Sequence, residues 1–382
     1  MPRFLLSCRR FDNRCPGLMK DSSLPPLFTH PIGSLPRPRV VQDLLAERQA
    51  GRVSAADFDQ RMDDLVLFAI RLQEQAGMDV VSDGEWRRLH YMNEYLLRIG
   101  GFAKVRPFMH HGVERMTWVC NGPIQSREPV FARDAAFLAQ HARGATKFAL
   151  PSPFLIAMRL WDAKFSGKFY PTLEDLMNAL ADVLAIEARA IAAAGVKIIQ
   201  IDDPALTYFC DPEFVKGLGH DSRIDMSKGI TERVPAAVAA INRIVANLPV
   251  EVHIHCCHSV FKRGSDVNGS YKPILAYFDK LKVDRINLEF AYRDTGEAAD
   301  LASIPANLQA GVGILDVRSE NLQTVEEIVK IGKGCLQHIS RERVAFSPDC
   351  GFAPDSGEPP TIDEAYTKLR NLCEAVRILR AS

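Results

Sequence analysis

A chain of 382 residues that is 47% hydrophobic and 25% charged has the make-up of an ordinary soluble globular protein, long enough for one barrel-sized core or two smaller domains. Its 47 basic and 47 acidic residues cancel, so no net field points to nucleic acid or a membrane surface as a partner. No apolar stretch approaches the roughly 20 residues of a membrane-spanning helix.

The N-terminus, Met1-Pro-Arg-Phe-Leu-Leu-Ser-Cys-Arg-Arg, has basic residues after a very short apolar patch, unlike a secretory signal, which makes the cytoplasm the expected location. Nine cysteines, an odd number with several inside apolar periodic segments, read as reduced thiols or metal ligands rather than a disulfide framework. Residues 1–24 read as a flexible N-terminal extension and residues 25–382 as one domain. Within that domain short β-like runs fall at 29–35, 78–85, 145–151, 196–203, 250–257, 284–291, 311–317 and 344–350. Helical candidates, with apolar residues at three- and four-residue spacing, fall at 54–76, 172–194, 231–247, 320–339 and 361–379. Thr172-Leu-Glu-Asp and Ser319-Glu-Asn-Leu offer helix starts, and Gly195 sits where a helix hands over to a strand. The segment 101–133 lacks clear periodicity and reads as a lid or excursion, with His110-His111 facing solvent.

Eight strands alternating with helices predict an α/β fold, a (β/α)8 TIM barrel with insertions; a doubly wound sheet is the competing arrangement. Polarity favours the barrel, because all the runs but 145–151 carry a polar or reactive residue within their last three positions, and the C-terminal strand ends of a barrel share one mouth. Four soft-metal donors close such runs. His255 and Cys257 end Val-Glu-Val-His-Ile-His-Cys-Cys, Glu289 ends Arg-Ile-Asn-Leu-Glu, and Cys350 lies in Ser-Pro-Asp-Cys-Gly. Thiolate, imidazole and carboxylate together favour zinc over hard cations.

Strand parity sorts the neighbours of these donors. With His255 and Cys257 inward, Cys256 faces the helices as a small buried hydrophobe. His253 lies deeper on the inward face as a hydrogen-bonded core residue, and His258 falls in the loop beside the ligands. Asn287 and Glu289 share one parity, which aims the carboxylate at the barrel axis; the bland alternative is a salt bridge across the barrel layers.

The chain resembles the catalytic half of cobalamin-independent methionine synthase over about residues 28–380. The likeness is strongest at Ile32-Gly-Ser, Asp83-Gly-Glu, Ile199-Gln-Ile-Asp-Asp-Pro-Ala-Leu, His255-Cys-Cys and the run from Gly313 through Cys350-Gly. The resemblance implies a (β/α)8 barrel with Zn2+ on His255, Cys257, Glu289 and Cys350. It also implies that Ile32, Gly33 and Ser34 meet the substrate carboxylate and that Glu85 and Asp202 hold its ammonium. Blander readings make Asp202 a turn carboxylate before Pro204, Glu85 a partner of Arg87 or Arg88, and Ser34 the start of a turn. The implied reaction moves a methyl group from 5-methyltetrahydrofolate to homocysteine, a small-molecule thiol, with Asp202 and Arg318 as catalytic candidates. A free thiol, with a pKa near roughly 8.5, loses its proton on a metal, and two cysteinate ligands leave the incoming sulfur nucleophilic.

The chain also departs from the family pattern. Full-length enzymes carry a second, N-terminal barrel, for which this chain has no room. Arg318 stands where the family has a histidine, and an arginine is a poor proton donor, although it can clamp an anionic group. Asp203 replaces a frequent Glu. The tryptophan that stacks on the pterin has no match in Ser152–Arg159, with Trp161 two positions away, and the stretch holding Arg263–Ser270 is long. A related single-barrel activity, epoxyalkane:coenzyme M transfer, is an alternative in which Arg318 meets a sulfonate. A related metal-free porphyrin decarboxylase and a structural zinc site in a binding protein are others. A methyl-donor protein as partner and the oligomeric state stay open.

Overall fold

The computed structural model describes residues 24–110, 113–218, 227–260, 263–292, 297–353 and 359–382. Apart from Leu24, the expected N-terminal extension lies outside the described residues, as does His111. Seven strands form one parallel sheet in the order β1 (Val80–Val81), β4 (Ala145–Pro151), β5 (Ile198–Asp202), β6 (Glu251–His255), β7 (Arg285–Glu289), β8 (Gln309–Leu315) and β9 (Val344–Pro348). The remaining two, β2 (Phe102–His110) and β3 (Val113–Cys120), pair antiparallel as a separate hairpin.

The first expected run, 29–35, closes the sheet without forming a full strand. His30 N–H donates to the Phe346 carbonyl at 3.1 Å, Phe346 N–H to Phe28 at 2.9 Å, and Val80 N–H to Thr29 at 3.0 Å. Residues 28–30 therefore lie between β9 and β1, and the curled sheet becomes a (β/α)8-type barrel with insertions.

Alternation along each strand divides the barrel wall into two chemistries. Ile199, Ile201, Val252, Ile254, Ile286, Leu288, Val312 and Ile314 join the apolar core shared with the helices. The opposite parity is polar: Asn287 Nδ2 donates to Gln200 Oε1 at 3.0 Å across the intervening β6, and His253 bonds Glu251 at 2.8 Å while buried. Close approach inside the barrel explains Gly311, where an added Cβ would lie 1.9 Å from Asn287 Oδ1. Gly311→Ala is accordingly expected to destabilise the fold by upward of about 2 kcal/mol, the scale of an overpacked core, seen as a lower urea midpoint with an unchanged slope.

The helices follow their caps. Ser54 accepts from Asp57 N–H and opens Ala55–Ala76. Thr172 and Asp175 form a capping box for Leu173–Ala193, after which Gly195, at φ +99°, turns the chain into β5. Ile230–Val245 and Ile362–Ala381 match their predicted spans.

The expected start at Ser319 is wrong. Ser319 Oγ accepts from Asn321 N–H, a local turn that competes with a cap, and the helix begins at Val325 behind the Thr324–Glu327 capping box. The 101–133 segment, expected to be a lid or excursion, leaves the barrel sheet as the separate β2–β3 hairpin and ends in the first residues of helix Ala132–His141. Helices Arg39–Gln49, Asn93–Ile99, Pro153–Leu160 and Pro212–Leu218 are additional to those expected from periodicity. None of the described helices is long and apolar enough to cross a membrane.

Candidate metal centre

Parallel register sets the level at which the functional side chains meet. Asp202 pairs with His255 and His255 with Asn287 across β5, β6 and β7, while Glu289 pairs with Gly313 on β8. Cys257 lies two residues beyond the end of β6, and Cys350 two residues beyond β9. The donor atoms of His255, Cys257, Glu289 and Cys350 all lie within 4.8 Å of one another, with the first three residues buried and Cys350 half-buried. Residues nearly a hundred positions apart are thus brought together at one barrel mouth.

The orientation of His255 fits a metal ligand. Its Nδ1 is 3.1 Å from Asp202 Oδ1, which fixes the proton on that nitrogen. The other nitrogen, Nε2, is buried without a hydrogen-bond partner, a state that a coordinated cation would explain. Burial disfavours positive charge on the ring, yet Asp202 and Cys350 outweigh it and push the pKa up to about 10. Neighbouring Cys257, together with burial, pushes the Cys350 thiol well above its ordinary range. Anion-forming donors packed this closely call for a cation among them, and the N/S/O set suits zinc.

Glu289 is wholly buried and ionised in its surroundings. Burial raises its pKa, but Arg318 and then His258 hold it below the usual carboxylate value. Arg318 Nη2 donates to Glu289 Oε1 at 2.8 Å, and His258 N–H donates to Oε2 at 3.2 Å. Arg318 is itself 0% exposed and paired with Glu289, so it is not a surface salt bridge. Cys256 is also fully buried and belongs to the apolar core, on the opposite parity from the ligands.

A second group of expected residues abuts this cluster. Gln200 Nε2 donates to the Ile32 carbonyl at 2.7 Å and to Asp202 Oδ1 at 2.6 Å, tying the Ile32–Ser34 loop to the partner of His255. An added Cβ on Gly351 would lie 2.9 Å from Ser34 N, and one on Gly33 would lie 3.2 Å from Gly351 Cα. The Ile32-Gly33-Ser34 backbone therefore packs against the backbone that follows Cys350. Glu85 approaches the same place, its Oε1 4.0 Å from that Gly33 Cβ position. It adopts φ +57°, a left-handed conformation unusual for a non-glycine residue and one that gathers at functional sites.

Gln200, Tyr271 and Asp349 take part without having been singled out from the sequence. Tyr271 OH lies 2.9 Å from His258 Nδ1 and accepts from Glu289 N–H at 3.0 Å. Asp349 accepts from the N–H groups of Phe290, Ala291 and Tyr292 at 2.7–3.1 Å, locking the chain after Glu289 to the residue before Cys350. Gln200 shares parity with Asp202 two positions on, and Asp349 adjoins Cys350, so both carried a positional signal. Tyr271 sits outside any strand or periodic stretch and carried none. Trp161 caps helix Pro153–Leu160 and donates from Nε1 to the Tyr170 carbonyl at 2.9 Å. Asp203 accepts from Ser152 Oγ at 2.5 Å and ties that helix's start to β5.

Comparison with known proteins gives a consistent answer. The model of the cobalamin-independent synthase catalytic domain matches residues 27–124 and 171–377. Methionine synthases of Pyrococcus horikoshii and Saccharolobus solfataricus are each 28% identical, covering 94% of this chain and 94% and 96% of their own lengths. The length of this chain, short beside a two-barrel enzyme, is therefore shared by proteins of that name. A B12-independent methionine synthase from Shewanella sp. W3-18-1, in complex with selenomethionine, has the same fold at a TM-score of 0.72 and 23% identity, covering 94% of this chain and 98% of that one. A methyltransferase from Methanosarcina mazei aligns at a TM-score of 0.56 and 16% identity, over 91% and 94%. With most of its length matched by that model, the chain belongs to the cobalamin-independent synthase catalytic-domain family.

Proposed function

We propose that this protein is a zinc-dependent methyltransferase that methylates homocysteine to methionine, with 5-methyltetrahydrofolate as donor. The observation that carries the reading is the contact between a soft four-donor cluster and a carboxylate pair. His255, Cys257, Glu289 and Cys350 lie together, and Asp202, bonded to His255, is linked through Gln200 to the loop that Glu85 faces. A thiol at the cluster with an ammonium at the carboxylates describes an amino acid whose side chain ends in sulfur.

His255, Cys257, Glu289 and Cys350 would hold the zinc, which when bound supplies the charge that keeps a substrate sulfur as thiolate at neutral pH. Asp202 has two tasks: one oxygen orients His255, and its charge meets the ammonium. Glu85 supplies the second charge, while the Ile32–Ser34 backbone and the Ser34 hydroxyl are suited to the substrate carboxylate. The carbon–sulfur bond forms as the methyl–nitrogen bond breaks, and the departing nitrogen takes a proton. Arg318 is not its source, since a guanidinium stays protonated and this one is held against Glu289.

Burial pushes the Glu85 carboxyl up to about 7, with Asp202 and Asp83 adding to the effect and Arg88 and Arg37 opposing it. Below that pH the group is neutral and attracts an ammonium less. The KM for homocysteine should therefore fall as pH rises through about 7. Glu85→Gln should raise KM at pH 8, by the equivalent of about 2 kcal/mol or more for a truncated buried charge pair, and should flatten the dependence. A Glu85→Gln enzyme with the wild-type KM profile would remove Glu85 from the substrate site.

The committed arginine gives the epoxide-opening alternative less support, because that reading asked Arg318 to meet a sulfonate. Supplying homocysteine with 5-methyltetrahydrofolate, and coenzyme M with an epoxide, separates the two. Methionine formation without epoxide turnover is expected, and the converse would overturn the proposal.

A further inference from the structure

Arg318 and the stretch after Cys257 are two departures from the family pattern, and in space they form one unit. Arg318 Nη2 donates to the Ser259 carbonyl at 2.8 Å as well as to Glu289, and its Nη1 is 3.9 Å from Asp349. Arg263 reaches the carbonyls of Arg318 and Ser319 at 3.4 and 3.5 Å. It is anchored by a bidentate pair with Glu364 at 3.0 and 2.9 Å. Ser259 and Arg263 both take left-handed backbone conformations, at φ +63° and +60°, which persist only where the surroundings hold them.

Both oxygens of Glu289 are consequently engaged by protein donors, Oε1 by Arg318 and Oε2 by His258 N–H. His255 Nε2, by contrast, has no partner. Of the four donors, Glu289 is the one whose charge the protein already answers. A guanidinium on Oε1 weakens the carboxylate as a ligand. It also leaves Glu289 paired rather than bare if another group takes its place, which matters because a buried unpaired charge is costly.

We propose that Arg318 is a positioning residue that makes Glu289 the exchangeable ligand, and that Ser259 and Arg263 are placed to hold Arg318 against it. The inference rests on the thiol-methylating reading above. Arg318 then favours thiol entry in two ways: it receives the displaced carboxylate, and its fixed positive charge offsets the added thiolate.

Two measurements read this directly, chelator competition for zinc and titration of cobalt(II)-loaded protein with homocysteine, followed by the sulfur-to-cobalt charge-transfer band. Arg318→Met should hold zinc more tightly, by roughly tenfold, and bind homocysteine at the metal more weakly by a similar factor; the gain in zinc affinity has the opposite sign to the usual effect of losing a ligand's partner and the size of its lower end. Arg318→Lys, which keeps the charge, should lie nearer the wild type. A merely structural arginine gives a different pattern, with zinc retention and thiol binding falling together; that pattern, or an unchanged homocysteine titration, would overturn the proposal. If Arg318→Met does not fold, Arg263→Ala keeps both charges of the pair and loosens only the grip on Arg318. It should move the two constants in the same opposite directions by a smaller factor, and no movement would also overturn the proposal. Wild-type protein that binds cobalt yet gives no new sulfur band would count against the homocysteine reading itself, while zinc retention in the variants still tests Arg318.

Discussion

Replacing Cys350 with serine is expected to strip zinc from the protein and abolish methyl transfer. A serine hydroxyl stays protonated at neutral pH and is a poor soft-metal donor, so the cluster would fall to three ligands spread over two strand ends. The loss should exceed the roughly 10–100-fold that follows removal of a partner outside the ligand set. Cys256→Ser is the internal control, because its side chain faces the apolar layer. It should keep stoichiometric zinc and near-normal turnover while losing about 1–3 kcal/mol of stability for a hydroxyl buried without a partner. Metal analysis after dialysis, with a urea melt, checks both. Full zinc in Cys350→Ser, or none in Cys256→Ser, would mean that the ligands are wrongly assigned.

The second large effect belongs to Asp202, which serves two sites at once. Asp202→Ala removes both the acceptor that orients His255 and a charge facing the ammonium. Zinc affinity should drop roughly 10–100-fold, and homocysteine binding should weaken further. Asp202→Asn separates these roles, since its amide oxygen can still accept from His255 Nδ1 while the charge is gone. Zinc should then be retained, with KM for homocysteine raised by the equivalent of about 2 kcal/mol or more. Zinc retention with an unchanged KM for homocysteine in Asp202→Asn would leave Asp202 with the orienting task alone.

Much of this arrangement was legible in the sequence because strands report their faces. His255 and Cys257 share parity, as do Asn287 and Glu289, and parallel strands at one level bring those faces together. The eight-run pattern likewise gave the barrel, even though residues 28–30 contribute only closing hydrogen bonds. Helix Pro153–Leu160 escaped notice because residues 153–158 are buried on every side, so no amphipathic period marks them. Arg39–Gln49 begins at Pro38 without a side-chain cap, and the β2–β3 hairpin has Pro107 within a strand, a residue that argues against one.

What the sequence withheld at the site was charge pairing. Nothing in Leu315-Asp-Val-Arg-Ser says that Arg318 meets Glu289, since that contact depends on where the strands β7 and β8 end and on the turn at Ser259. Gln200 and Asp349 were visible as neighbours of expected residues but not as the hydrogen-bonding hubs they are. Such roles arise from three-dimensional satisfaction of buried polar groups, which no spacing rule encodes.

The central claim, that His255, Cys257, Glu289 and Cys350 bind one zinc that admits a substrate sulfur, is tested most directly by X-ray absorption at the zinc edge with and without homocysteine. The account predicts one zinc per chain, with two sulfur neighbours alone and three in the presence of homocysteine, the third replacing an oxygen. Protein purified without stoichiometric zinc even after zinc is supplied, or a spectrum that homocysteine does not change, would contradict it.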